Sequence, residues 1–169
     1  LSLLIISLIS NYSYASDEFK DSVVLITGAS GDIGCRTAQR FLERGAFVIG
    51  QYNKNSKSLD DLKKSYAGRL ELIYGNAEQI TNFGNVWFKA LQINKSVNVL
   101  VNALGVLRPS TDPTEIDVRI EAMLVNYHAP VLISDLAIEH FKKNKLPGVI
   151  VNLGSRAGYR GMPEGLYHY

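Results

Sequence analysis

Thr27-Gly28-Ala29-Ser30-Gly31-Asp32-Ile33-Gly34 is the segment whose composition points most directly to chemistry. Three glycines let a chain turn sharply and bring its backbone close to a phosphate. A helix starting there would offer unbonded N–H groups and a partial positive charge to a pyrophosphate. No Gly-Lys-Ser/Thr follows, which argues against a nucleoside-triphosphate loop. Gly28, Ser30, Gly31, Asp32, Ile33 and Gly34 are therefore candidate contacts to a dinucleotide. Further on, Gln51-Tyr52-Asn53-Lys54 has no carboxylate before Asp60 to hold a free ribose 2′-hydroxyl. Asn53 and the Lys54 ammonium suit a 2′-phosphate instead, which puts NADP(H) ahead of NAD(H); the plainer alternative is that Lys54 is a solvated turn residue. Asn76-Ala77 offers an amide for an adenine edge, and Asn102-Ala103-Leu104-Gly105 a glycine that lets the chain pass close to a flat ring.

All four segments follow short β-branched runs. Val23–Ile26, Phe47–Ile49, Leu70–Tyr74, Val97–Val101 and Val149–Val151 read as strands, most of them apolar throughout, as parallel strands covered on both faces are. Helical spacing lies between them: Gly34, Ala38, Phe41 and Leu42, with Gly45 as a C-terminal cap; then Phe83, Val86, Trp87, Ala90 and Leu91; then Ile116, Ile120, Met123, Leu124 and Tyr127. Thr114 and Asp117 are spaced as a capping box for the last, and Pro130 should bend or split it. This alternation predicts an α/β fold, a doubly wound parallel sheet with right-handed crossovers, and ligands beyond the carboxyl ends of the strands.

The rest of the composition narrows the field. The 169 residues are 46% hydrophobic and 20% charged, with a net charge of +2, which gives no electrostatic reason to expect nucleic acid or a membrane surface as partner. One cysteine, Cys35, excludes a disulfide framework, and His128, His140 and His168 lack metal-ligand spacing, so no metal is expected. Residues 1–16 form an apolar leader too short to span a bilayer. A clipped secretory signal at 1–15 competes there with a frayed leader or a misassigned start, and a cytoplasmic location is the expectation. The folded unit is expected over 17–169.

Taken in order, these segments resemble the short-chain dehydrogenase/reductase family, of the classical type that includes 3-oxoacyl-acyl-carrier-protein reductases. Thr27 to Gly34 is similar to its cofactor loop. Asn102-Ala103-Leu104-Gly105 is similar to its Asn-Asn-Ala-Gly motif, with Ala103 and Leu104 as departures. Asn76 stands where Asp is usual. The resemblance implies a Rossmann-type domain comprising about the amino-terminal two-thirds of an NAD(P)(H)-dependent oxidoreductase that interconverts a carbonyl and an alcohol of a small-molecule substrate. It implies catalytic roles for Asn126, which holds a water of a proton relay, for Ser155, which hydrogen-bonds the carbonyl oxygen, and for Tyr169 as the general acid or base, with Tyr167 less well spaced. Arg156, Tyr159 and Arg160 are either substrate-facing or solvated. The family's lysine would fall after Tyr169, so the chain is expected to be a fragment of a protein that forms homo-oligomers when complete. A free tyrosine titrates near about 10, and lowering that to near 7 takes roughly 4 kcal/mol, which the lysine and the oxidised cofactor provide in the family. Two alternatives stand beside this reading. The absent lysine fits a non-catalytic dinucleotide-binding module or decayed fragment, and the Gly28-Gly31-Gly34 spacing fits an extended, epimerase-like relative.

Overall fold

The computed structural model describes residues 17–108, 112 and 114–155. Five parallel strands, β1 (Val23–Thr27), β2 (Phe47–Tyr52), β3 (Leu70–Tyr74), β4 (Val99–Asn102) and β5 (Val149–Asn152), form one sheet in the order β3-β2-β1-β4-β5. Strand order reverses between β1 and β4, the point at which crossovers leave to opposite faces and open a crevice at the carboxyl ends. Register places Thr27 beside Asn102, and Asn102 beside Asn152, so three polar residues lie in a row across that end.

The helices are α1 (Asp32–Glu43), α2 (Lys57–Ser65), α3 (Ile80–Phe83), α4 (Asn85–Ile93), α5 (Ile116–Met123) and α6 (Ala129–Asn144). On one face α1 buries Gly34, Ala38 and Leu42, and α2 buries Leu59, against Val24, Ile26, Val48 and Val101. On the other, Val86, Trp87 and Ala90 of α4 and Ala129, Ile133 and Ala137 of α6 pack on Leu25, Ile49 and Leu100. Alternate strand residues supply the two cores because successive side chains point to opposite faces. Each large apolar side chain so buried contributes roughly 1.5–3 kcal/mol relative to exposure. α1 ends as its sequence predicts: Gly45 adopts φ 95°, its N–H reaches the Leu42 carbonyl, and the next N–H, of Ala46, reaches Phe41.

α2 is not among the elements expected from the sequence, although Leu59, Leu62 and Tyr66 stand at i, i+3 and i+7 and pack on the α1-side core. Some local expectations change. The Phe83–Leu91 stripe spans two helices, because Gly84 caps the end of one and the start of the next. The Thr114–Asp117 capping box does not form. Thr114 instead gives its N–H and hydroxyl to Asp112 (2.8 and 2.6 Å), and α5 starts after Glu115 without a side-chain cap. Val149 and Val151 of β5 lie on the α1 side of the sheet and are exposed in this chain. The helix does not break before Pro130: Met123, Leu124, His128 and Ala129 all keep right-handed helical backbone angles. A π-helical turn, Leu124–His128, joins α5 to α6, with the Ala129 N–H bonded five residues back to Leu124, and Pro130 falls in the first turn of α6 where no N–H is required.

Candidate active site

The glycine loop follows β1, and two of its glycines are required by geometry. Gly28 has φ +69°, and a Cβ on it would lie 2.6 Å from the Leu104 Cα; one on Gly34 would lie 2.2 Å from the Gly28 carbonyl oxygen. At Gly31 a Cβ would meet only that same oxygen, at 3.4 Å. The glycine that gives the loop its epimerase-like spacing is therefore the one the backbone does not need. Three loop N–H groups are engaged internally. Gly28 donates to Gln51 Oε1 (2.7 Å), Ala29 to the Gln51 carbonyl (2.8 Å) and Gly31 to the Gly28 carbonyl (3.0 Å). The N–H groups of Ser30 and of the first turn of α1, at Asp32 and Ile33, have no acceptor inside the helix and are the ones positioned to meet an anion. Asp32 lines a groove on the outer flank of α1 with Arg36 and Arg40. That groove is larger, about 580 Å³, but it holds none of the strand-end residues.

Beyond the loop, a cavity of about 340 Å³ is lined by Gly28, Ser30, Gly31, Gln51, Asn53, Lys54, Ala77, Ala103 and Gly105, among others. Asn76 borders it through a bond from Asn53 Nδ2 to its Oδ1 (3.3 Å), and the same oxygen accepts the Glu78 N–H at 3.0 Å. The Asn76 oxygen is thus engaged by two donors within the protein. Arg108 bridges Glu78 (2.9 Å) and Glu121 (3.3 Å), closing the far wall.

A second cavity, about 380 Å³, shares Ala103, Leu104 and Gly105 with the first and adds Ile33, Asn126, Leu153, Gly154 and Ser155. A Cβ at Gly105 would meet only Asn126 Oδ1, at 3.7 Å, so the cavity and not the protein occupies the space in front of this glycine. Asn126 lies in the π-helical turn, and its side chain is clamped to one backbone unit: it accepts the Val106 N–H (2.8 Å) and donates to the Val106 carbonyl (2.9 Å). Beside a further cavity of about 300 Å³, lined by Asn126, Ser134 and Asn152 among others, Asn102 is the hub. It is almost wholly buried; it accepts from the Thr27 hydroxyl (3.1 Å) and donates to Asn152 (2.7 Å) and Ser134 (3.1 Å). Cys35 packs behind the loop with its thiol on the Ser58 carbonyl (3.2 Å), and burial pushes that thiol up, away from thiolate character.

Of the residues singled out from sequence, the structure gathers Gly28, Ser30, Gly31, Ile33, Asn53, Lys54, Ala77, Ala103, Gly105, Asn126 and Ser155 along two adjoining cavities, with Gly34, Asn76 and Asn102 in support. It does not bring the Asp32 carboxylate there. Tyr169, Tyr167, Tyr159, Arg156, Arg160 and His168 lie outside the described residues. Gln51, Arg108, Thr27, Ser134 and Asn152 were not singled out; a glutamine inside an otherwise apolar strand is the one signal that marked Gln51. Among the described residues no His/Cys/Asp/Glu cluster could hold a metal ion, and no helix is long and apolar enough to cross a membrane.

The sequence profile described as short chain dehydrogenase matches residues 22–168, and the chain belongs to this oxidoreductase family. An uncharacterized oxidoreductase of Thermotoga maritima is 36% identical over 156 residues, which cover 86% of this chain and 58% of that protein. Among solved structures, a short-chain dehydrogenase from Streptomyces avermitilis superposes with a TM-score of 0.75 at 25% identity, covering 85% of this chain and 52% of that one. The structure titled ElxO with NADP bound shares the fold, with a TM-score of 0.74 at 24% identity, over 85% of this chain and 59% of its own. The chain spans about half the length of the curated relatives it matches.

Proposed function

We propose that the protein to which this chain belongs interconverts a carbonyl and an alcohol of a small molecule, with NADP(H) as the preferred hydride carrier. The observation that supports this reading is the continuity of the two cavities along the strand ends, with the glycine loop between them and Ala103 to Gly105 as their shared wall. The cradle fits a dinucleotide: a Cβ at Gly28 would close the approach to Leu104, and the space before Gly105 is open. The N–H groups of Ser30, Asp32 and Ile33 and the positive end of α1 face a pyrophosphate. Asn53, Lys54 and Ala77 receive the adenosine end, with the Lys54 ammonium for a 2′-phosphate.

When bound, the dinucleotide supplies or accepts the hydride. The chain's own residues handle the oxygen and its proton. Ser155 hydrogen-bonds the carbonyl oxygen, Tyr169 donates the proton in reduction and removes it in oxidation, and Asn126, fixed by Val106, holds a water on the proton's route. Asn102 keeps β1, β4 and β5 in register beneath them, so that these groups meet one substrate atom.

The test is Tyr169→Phe in the full-length protein. Loss of an acid–base group costs typically about 10²–10⁴-fold in turnover, with NADPH binding retained. Full turnover in this variant rejects Tyr169 as the acid, and binding without turnover of any carbonyl or alcohol in the unaltered protein favours a non-catalytic module.

A further inference from the structure

Gln51 lies on β2 with 3% of its surface exposed, between the two ends of the ligand cleft. Its Oε1 accepts the N–H of Gly28, the first glycine of the phosphate loop, at 2.7 Å. Its Nε2 donates to the carbonyl of Gly75, the residue before Asn76, also at 2.7 Å. Its own carbonyl accepts the Ala29 N–H at 2.8 Å. One partner can only donate and the other can only accept, so the amide has a single orientation. Gly75 is itself held close, because a Cβ there would fall 2.4 Å from Val86 Cγ2. The side chain also contributes to the wall of the cavity assigned to the adenosine end.

We propose that Gln51 is a positioning residue for the dinucleotide: it joins the phosphate loop to the adenine end of the cleft, and its neutrality lets an anionic ligand lie over it. This rests on the dinucleotide reading given above. Gln51 fixes the loop's path by engaging the Gly28 N–H, which leaves phosphate contact to Ser30 and the start of α1. The position needs one donor and one acceptor without charge. An ionised carboxylate of the same length would still accept from Gly28, but it would set an oxygen against the Gly75 carbonyl and a negative charge beneath the phosphates. Once protonated, the same carboxyl has the donor and acceptor of the amide.

That difference gives the test a pH signature that a general packing defect would not share. Dissociation constants for NADP⁺ are measured on full-length wild type and Gln51→Glu at low and high pH. The ratio of variant to wild type cancels the contributions of Lys54, Glu78 and Arg108, the other charged groups lining the cavity. At about pH 8.5 the variant should bind about tenfold more weakly or worse, the loss that goes with a broken buried hydrogen bond, and at about pH 5.5 the ratio should return to within about threefold. A ratio near one at both pH values, or an equally weak variant at both, overturns the role of Gln51. Failure of the wild type to bind NADP⁺ or NAD⁺ overturns the dinucleotide reading itself. If Gln51→Glu does not fold, Gln51→Met and hydrogen exchange at the Gly28 amide decide. Slow exchange in ligand-free wild type with weakened binding by Gln51→Met supports the clamp, and exchange at the rate of an open loop rejects it.

Discussion

The Asn102 side chain donates to Asn152 Oδ1 across 2.7 Å, which ties the carboxyl end of β4 to that of β5. The same amide group donates to Ser134 on α6, while Asn102 Oδ1 accepts from Thr27 on β1. One side chain thus links three strands and a helix; its bond from Thr27 is buried, while the bonds it donates reach Ser134 and Asn152 at the wall of a cavity of about 300 Å³. Asn102→Leu should destabilise the fold by about 2–3 kcal/mol, read as a fall in the urea midpoint at unchanged slope. Asn102→Asp should cost less than Asn102→Leu, because a carboxylate still accepts from Thr27, and Asn152 by turning its amide and Ser134 by its hydroxyl can donate to it.

The glycines of the loop should separate by function. Gly28→Ala forces a left-handed residue against Leu104, and Gly34→Ala drives a methyl into the Gly28 carbonyl. Both should abolish measurable dinucleotide binding or prevent folding. Gly31→Ala has ordinary space and an extended backbone (φ −78°, ψ 165°), so its affinity for NADPH should stay within about threefold of wild type. Equal losses at Gly31 and Gly28 would contradict this account of the loop.

The architecture was largely legible because strand and helix periods report which faces are buried. Val23–Ile26 and Ala38–Leu42 carry that pattern plainly, and the glycine cluster between them marks the turn. α2 is short, and its apolar positions Leu59, Leu62 and Tyr66 stand among charged residues, so its stripe is faint. In the site, a place at a strand end pointed to Asn102 and the family resemblance pointed to Asn126, but neither pointed to their partners. The Gln51 amide, the Arg108 bridge to Glu78 and Glu121 and the Val106 clamp all join residues distant in sequence, and only the fold brings such pairs together.

Cys35 should behave as a structural thiol. Burial raises its pKa above the model-compound value of 9.0, so the folded state favours the protonated form. Any stability linked to this group is present below that value and is lost as pH rises through the raised folded pKa. Alkylation by iodoacetamide at pH 8 should be slower than for an unstructured cysteine peptide and should accelerate only at more alkaline pH. Thiolate-like reactivity at pH 7 would contradict the observed packing.

Lys54 is exposed at the rim of the cavity, with no carboxylate at the neighbouring Gln51, Tyr52, Asn53 or Asn55. Lys54→Glu should lower the preference for NADPH over NADH by about tenfold or more, since it replaces a charge-assisted contact to the 2′-phosphate with repulsion. Steady-state KM values for the two cofactors read this directly. An unchanged ratio would show that the 2′ position is recognised elsewhere.

The central claim is that the glycine loop and the strand ends around Asn102 grip a nicotinamide dinucleotide. Titration of the purified full-length protein with NADPH and NADH, followed by calorimetry, tests it most directly. Saturable binding of one dinucleotide per chain is predicted, tighter for NADPH and lost in Gly28→Ala. Absence of binding by both at millimolar concentration, where a site with even about −4 kcal/mol of affinity would fill, would contradict it.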